Sequence, residues 1–209
     1  MSSTARNNIL RKIRAALTSS TRLPFPDSEA PAPVFQPLQQ DIVVEFAEQF
    51  TQLQGKFIFC TGEEEARHQI EILCLQHQWT KIYCLLPKWN VQLSPEMQTG
   101  DIITCNASIT ECEALVARTG TMVLSANNSG RVASVYAPVH ICIAYTSQLV
   151  YDLKDALTHL QDKYGSNLPS LISFATGPSR TADIEKTLVV GVHGPKEVYC
   201  FLIDDAGVV

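Results

Sequence analysis

The sequence lacks the motifs that would place the protein in several familiar chemical classes. It has no Cys-x-x-Cys pair among its seven cysteines, no Gly-x-Gly-x-x-Gly and no P-loop motif. The first absence argues against a zinc site, a dithiol redox site and an iron–sulfur cluster held by this chain. The other two argue against Rossmann dinucleotide and P-loop nucleotide sites. We therefore expect no metal and no cofactor.

Positive charge and long apolar runs are also scarce. The formal net charge is −5, which argues against general nucleic-acid binding, because that function needs a basic surface. No apolar stretch approaches the roughly 20 residues that cross a bilayer. The first residues lack the apolar core and cleavage site of a signal peptide. We therefore expect a cytoplasmic protein with one main globular domain, since 45% of the residues are hydrophobic.

The first 37 residues differ in pattern from the rest. Apolar residues at helical spacing from Ile9 to Leu17, interleaved with basic residues, predict an amphipathic basic helix. Residues 18–37 hold five prolines and predict an extended, semi-rigid strap. Such a helix could lie on a membrane surface, on its own domain or on the second subunit of a homodimer. The predicted organisation is a helix and strap at 1–37 and an α/β domain at 38–209.

From residue 38 onward, strand-like apolar segments alternate with helix-like amphipathic segments. This alternation predicts an α/β fold with a mainly parallel sheet flanked by helices. Ligands bind such sheets beyond the carboxyl ends of the strands, so the turns there are candidate sites. Strands are predicted at 56–60, 81–86, 101–104, 121–125, 139–145, 171–175 and 198–203, and helices at 39–53, 63–77, 108–117 and 147–164.

The most informative segment follows the strand predicted at 171–175 and reads Thr-Gly-Pro-Ser-Arg-Thr-Ala-Asp-Ile-Glu. Pro178 suits the first position of a helix, which predicts a strand-to-helix turn whose N–H groups could hold an anion. Arg180 would add a fork of donors for a carboxylate or phosphate, with Asp183 one helical turn away. The alternative interpretation is that Thr176 or Ser179 caps a helix and that Arg180 pairs with Asp183.

Two histidines adjoin the apolar strands. His193 stands between two glycines, Gly191 and Gly194, which let the backbone approach a ligand closely. An imidazole at such a place suits proton transfer or carboxylate binding. His140, at the start of an apolar strand, is interpreted as a hydrogen-bonded structural residue. Because the histidines are not clustered, a tightly bound metal is not predicted.

Taken in order, these motifs resemble the LUD-domain family, the family of lactate-utilisation protein C (LutC-like) proteins. The resemblance covers roughly residues 40–205, and the two C-terminal motifs are its most specific part. It rests on Thr119-Gly120-Thr121, Arg131, Pro138-Val139-His140-Ile141, Gln148-Leu149-Val150, the segment 177–185 and Gly191-Val192-His193-Gly194-Pro195.

The resemblance implies a fold similar to the phosphosugar isomerase, CoA-transferase and formyltetrahydrofolate cyclo-ligase superfamily. It also implies a role in L-lactate utilisation, the oxidation of L-lactate to pyruvate together with iron–sulfur partner proteins. On this interpretation the chain is a non-redox accessory or ligand-binding subunit rather than a self-sufficient oxidoreductase. The alternative is a stand-alone enzyme acting on a phosphosugar, a CoA ester or a folate-like acid, and fold kinship does not choose between them.

Arg118 departs from the family pattern, since members usually have glutamate just before Thr-Gly-Thr. The related CoA-transferases use a glutamate in a comparable loop as a nucleophile, so a covalent mechanism is not expected here. The arginine could bind an anion or lie on the solvated surface. If the motif turns meet on one rim of the sheet, they form a cleft for a small anionic ligand. The candidate ligand-binding residues are Thr119, Gly120, Thr121, Arg131, Gly177, Ser179, Arg180, Thr181, Asp183, His193 and Gly194.

Overall fold

A computed structural model describes residues 3–18, 37–90, 95–184, 187–191 and 193–205. Within these ranges only the backbone is described for residues 3–5, 17, 90, 95, 128–129, 181–184 and 187–189. The chain divides into two compact units, Met1–Pro37 and Leu38–Val209. The first unit contains helix α1, Ser3–Leu17, whose apolar side chains Ile9, Leu10 and Ile13 are exposed. None of the helices in the described ranges is long and apolar enough to cross a membrane.

The second unit alternates strands and helices, as predicted. Its longer helices are α2 (Ile42–Gln52), α3 (Glu63–Gln76) and α7 (Leu153–Tyr164), and its shorter ones are α4 (Pro87–Asn90), α5 (Ala126–Ser129) and α6 (Ala133–Tyr136). Its strands are β1 (Lys56–Cys60), β2 (Ile82–Cys84), β3 (Ala107–Glu111), β4 (Ala114–Val116), β5 (Thr121–Ser125), β6 (Val139–Tyr145), β7 (Leu149–Val150), β8 (Ile172–Ala175), β9 (Arg180–Ile184), β10 (Thr187–Val190) and β11 (Glu197–Ile203). Short 3₁₀ turns occupy Pro95–Met97, Ala117–Thr119 and Thr146–Gln148.

The centre of the fold is a five-stranded parallel sheet in the order β1-β11-β6-β3-β2. Its inner strands β6 and β11 are apolar almost throughout, as expected of parallel strands covered on both faces. On one face Ile141 and Phe201 pack in a core with residues of α3. On the other face Cys142 and Cys200 pack in a core with Phe46 of α2. The predicted α/β fold with a mainly parallel sheet is therefore confirmed.

A second, four-stranded sheet lies in the order β7-β4-β5-β8 and is mostly antiparallel. Strands β3 and β4 occupy most of the segment 108–117, so the helix predicted there is wrong. The residues of both strands are almost all buried, and a strand covered on both faces does not show the polar–apolar alternation that marks an exposed one. The strand predicted at 101–104 is also wrong, because those residues form bends.

The helix predicted to begin at Pro178 is wrong as well. Strand β9 pairs antiparallel with β10, with Arg180 opposite Val190. The segment is rich in β-branched residues, which favour extended backbone over helix. Arg180 and Asp183 therefore lie on a strand, and the helical spacing that would bring them together does not exist.

Candidate functional site

The two C-terminal motifs meet at the amino end of the parallel sheet. The N–H of Ser179 donates to the carbonyl of Pro195 over 2.9 Å, just before β11 begins. The N–H of Lys196 donates to the carbonyl of Pro138 over 2.8 Å, just before β6 begins. The expectation of a carboxyl rim was wrong, because Thr176 follows β8, a strand of the other sheet.

A chamber of about 280 Å³ opens where these motifs meet, and we call it the inner chamber. It adjoins an outer cleft of about 500 Å³, with which it shares Val135, His193 and Gly194. We call the two together the motif cleft. The inner chamber is lined by residues 134–135, 175–179 and 193–195 together with His140 and Val198, and the outer cleft adds Tyr136, Pro138, Gly191 and Lys196.

Gly194 and Ser179 hold the two motifs together. A Cβ placed on Gly194 would lie 2.7 Å from the Cβ of Ser179, closer than two side chains can approach. The carbonyl of Ser179 also accepts a hydrogen bond from the N–H of Gly191 over 2.9 Å. The structure thus brings four predicted site residues, Gly177, Ser179, His193 and Gly194, to the inner chamber.

His140 is a chamber residue that the sequence interpretation placed in a purely structural role. It is 1% exposed, and its Nε2 is hydrogen-bonded to Thr110 Oγ1 over 2.8 Å, so the predicted hydrogen bond is present. Burial lowers the pKa of His140 to about 4, so the ring is neutral at physiological pH. The signal that could have placed it in the site is its position within Pro138–Ile141, one of the motifs that carry the family resemblance.

Thr119 and Thr121 reach the motif cleft only indirectly. Thr121 Oγ1 is hydrogen-bonded to Thr119 Oγ1 over 2.7 Å and to Thr176 Oγ1 over 2.8 Å. Thr176 lines the inner chamber, but all three threonines also line a separate, more apolar cavity of about 380 Å³ beside Leu157 and Phe174. The hydroxyl chain therefore connects two neighbouring cavities.

Two further predicted site residues, Arg180 and Gly120, pack against the end of α2, as does Gly177 of the inner chamber. Arg180 Nη2 donates to the carbonyl of Leu53 over 2.5 Å, a favourable place for a cation because a helix C-terminus is electronegative. Gly177, at φ +74°, leaves no room for a Cβ beside the same carbonyl. Gly120, at φ +57°, likewise leaves no room for a Cβ, here beside the backbone N atom of Phe50. Arg180 is not among the described residues that line the motif cleft.

Arg118 and Arg131 lie outside the described cleft lining. Arg118 forms an ion pair with Asp152, Nε to Oδ2 2.9 Å, and this contact lowers the pKa of the Asp152 carboxyl. Arg131 is exposed in the turn between α5 and α6. Only the backbone of Thr181 and Asp183 is described, so the placement of their side chains in the site stays a prediction.

The chemistry of the motif cleft favours an anion. Its described lining supplies the side chains of Lys196 and His193 and the hydroxyls of Ser134, Thr176 and Ser179. None of the described lining residues is acidic. Hydroxyl and cationic donors converging on one space are what a carboxylate or phosphate requires.

Comparison with known proteins places this cleft within a recognised domain. The family model of the LUD domain matches residues 96–203, more than half of the chain and all of the described cleft lining. The chain belongs to the LUD domain family. This confirms the family resemblance that the motifs indicated.

The chain is similar to proteins that carry the name Lactate utilization protein C. It is 40% identical over 102 residues to Lactate utilization protein C of Shouchella clausii, covering 48% of this chain and 44% of that protein. It is 33% identical over 134 residues to Lactate utilization protein C of Geobacillus thermodenitrificans, covering 63% and 55%. The chain thus spans about half the length of the curated relatives that it matches.

A solved structure supports the fold. The crystal structure of a DUF162 family protein from Deinococcus radiodurans superposes with a TM-score of 0.60 and 17% identity. The match covers 80% of this chain and 99% of that one. At this level of identity the likeness shows a shared α/β fold.

Proposed function

We propose that this LUD-domain protein is a component of L-lactate utilisation that binds a small carboxylate in the motif cleft. The observation that carries the proposal is the cleft lining, where Lys196, His193 and three hydroxyls converge and no described lining residue is acidic. The names of the relatives, Lactate utilization protein C, support a role in L-lactate utilisation. A three-carbon acid such as L-lactate or pyruvate is small enough for the inner chamber.

Different lining residues would make different contacts with the ligand. Lys196 lines the outer cleft, where its ammonium would attract the carboxylate, and His193 lines both cavities and could contact the ligand in either. The hydroxyls of Thr176 and Ser179 would orient it by hydrogen bonds. His140 is neutral because burial lowers its pKa to about 4, so it would contact an uncharged hydroxyl or carbonyl of the ligand.

We also propose that the protein works in the cytoplasm as a non-redox accessory subunit beside iron–sulfur partner proteins. The support for this step is the family membership and the absence of Cys-x-x-Cys motifs from the sequence. The test is L-lactate oxidation with an artificial electron acceptor. The purified protein should show no activity by itself and should raise the activity of its iron–sulfur partners. Lactate oxidation by the purified protein alone would contradict the accessory role.

Ligand binding is tested by thermal shift with L-lactate, pyruvate, phosphate and CoA. A bound ligand raises the melting temperature in proportion to RT ln(1 + [L]/Kd). We expect a shift with a three-carbon acid that disappears in Lys196→Ala and His193→Ala. Arg131→Ala is the matched control, since this exposed arginine is not among the described residues lining the cleft, and it should keep the shift.

The outer cleft favours one alternative function. Its volume of about 500 Å³ would accept a larger anion than lactate, such as a phosphosugar, a CoA ester or a folate-like acid. A thermal shift produced by one of these and not by three-carbon acids would favour the stand-alone enzyme. Turnover of that compound by the purified protein would then establish it.

A further inference from the structure

Strand β1 forms an open edge of the parallel sheet. In the described part of the chain it pairs with β11 and with no other strand. The N–H of Asp204 donates to the carbonyl of Cys60 over 2.8 Å, so the backbone groups of Cys60 point toward β11. Because these groups alternate in direction along a strand, those of Phe57 and Phe59 point outward to the open edge.

The outward groups of β1 are self-complementary. The strand reads Lys-Phe-Ile-Phe-Cys and is nearly symmetric about Ile58. If a second copy pairs antiparallel about Ile58, each Phe57 lies opposite the other copy's Phe59. Both residues of such a pair point their backbone groups at each other, so they can exchange both N–H···O=C bonds. A register centred on Phe57 or Phe59 would instead need Gly55 or Thr61, whose N–H groups already donate to the carbonyl of Phe50 and to Glu65.

The side chains fit the same arrangement. Phe59 is 44% exposed, and the pairing would place it beside the other copy's Phe57 on the same face of the sheet. A groove of about 470 Å³ runs beside residues 55–58 and leaves room at the edge next to α3. An exposed, apolar edge strand with unpaired backbone groups is a template for another strand.

Charged side chains stand at both ends of the edge. Lys56, at one end, has a side chain 47% exposed, forms an ion pair with Glu197 and packs on Tyr199, in the α3-side core. At the other end, Glu65 in the first turn of α3 accepts hydrogen bonds from the N–H and the hydroxyl of Thr61. Antiparallel pairing about Ile58 would bring each Lys56 toward the other copy's Thr61 and Glu65 on one face of the sheet.

We propose that β1 is a homodimer interface, in which two copies of this chain join their parallel sheets edge to edge through antiparallel β1 strands centred on Ile58. The arrangement places the twofold axis at the edge of the sheet and does not depend on a ligand in the motif cleft. It would cover the exposed Phe59 ring and satisfy the open backbone groups of the edge.

Size-exclusion chromatography with light scattering tests the interface. The protein should elute at micromolar concentration with twice the mass of one chain. Phe59→Glu should elute as a monomer, whereas Phe174→Glu should stay dimeric. Phe174 is a matched control because it is a 43% exposed phenylalanine on β8, the edge strand of the other sheet. A monomeric parent protein, or a dimer that persists in Phe59→Glu, would overturn the proposal.

Disulfide trapping tests the register even if Phe59→Glu fails to fold. Residues opposite each other in a non-hydrogen-bonded antiparallel pair have Cα atoms about 4.5 Å apart, which a disulfide can bridge. Ile58→Cys would face its own copy across the axis and should form a covalent dimer with oxidised glutathione. In Phe59→Cys the new cysteine, although at an exposed position, would face the other copy's Phe57. This variant should form much less covalent dimer. The native cysteines are all buried, so the parent protein sets the baseline. Equal trapping in both variants, or none in Ile58→Cys, would show that the register is wrong.

Discussion

Gly194 touches Ser179 so closely that a Cβ on the glycine would lie 2.7 Å from the serine Cβ. This contact joins the two motifs that the sequence marked as informative, and it forms one wall of the inner chamber. It also explains why a glycine stands at this position without any appeal to a ligand.

Gly194→Ala should push the segments 176–179 and 191–195 apart. Overpacking of this kind costs about 1–3 kcal/mol, and the displaced wall should weaken ligand binding as well. Urea denaturation and the thermal-shift assay measure the two effects. Gly100→Ala is the control, because nothing lies within 4 Å of a Cβ at that position. Equal stabilities of the two variants would contradict the close contact.

His140 should make stability depend on pH in a mildly acidic range. Its folded pKa, about 4, is below the histidine value of 6.5, so the unfolded chain binds the extra proton first. The stabilisation is therefore complete above pH 6.5 and is lost as the pH falls toward 4. A difference of this size corresponds to on the order of 3 kcal/mol. Denaturation curves at pH 7 and pH 5 should show a smaller decrease for His140→Gln than for the parent, and parallel decreases would refute the assignment.

Glu113 has a fully buried side chain held by Lys163, Tyr164 and Ser125. Burial alone would raise the pKa of this carboxyl, but the hydrogen bonds outweigh it and the pKa is lowered. Lys163→Met should therefore leave a buried charge without its cation and cost about 2 kcal/mol, less than a fully buried pair because Lys163 is partly exposed. Lys154→Met, on the exposed side of the same helix, should cost little. The comparison is made by denaturation at pH 7, and equal losses would show that the pair contributes nothing.

Arg118 and Asp152 form an ion pair at the start of α7. Replacing the arginine with glutamate, the residue usual in the family, places two carboxylates together and should lower stability by about 1 kcal/mol. The double variant Arg118→Glu with Asp152→Asn should recover much of the loss, because asparagine removes the repulsion between carboxylates and can still cap α7. A double-mutant cycle on melting curves measures the coupling. No recovery would mean that the pair does not hold α7 to the Thr-Gly-Thr turn.

Local patterns were enough to predict several elements correctly. Helices α2 and α3 begin and end within a few residues of their predicted bounds, because helical periodicity and caps are short-range signals. Asp41, for example, accepts a hydrogen bond from the N–H of Val43 and starts α2. Strands β6 and β11 were predicted because an apolar run of that length needs burial on both faces.

Other elements depended on distant partners. Strands β3 and β4 pair with β6 and β7, which lie far along the chain and help to bury them, so their pattern carried no clear period. Pro178 suggested a helix, but pairing with β10 makes β9 a strand. Arg180 was predicted to bind a ligand, and the structure adds a contact of its guanidinium with the carbonyl of Leu53, 127 positions away in sequence.

The sequence by itself determined the α/β class, the family and the residues that form the motifs, because these follow from local order along the chain. Only the tertiary structure decided that the motifs meet at the amino end of the parallel sheet, that His140 lies in their chamber and that Gly120 and Gly177 pack against α2. The physical reason is that strand hydrogen bonds and core contacts join residues far apart in sequence. Which strand lies beside which is therefore set by the burial of the whole domain and not by any one segment.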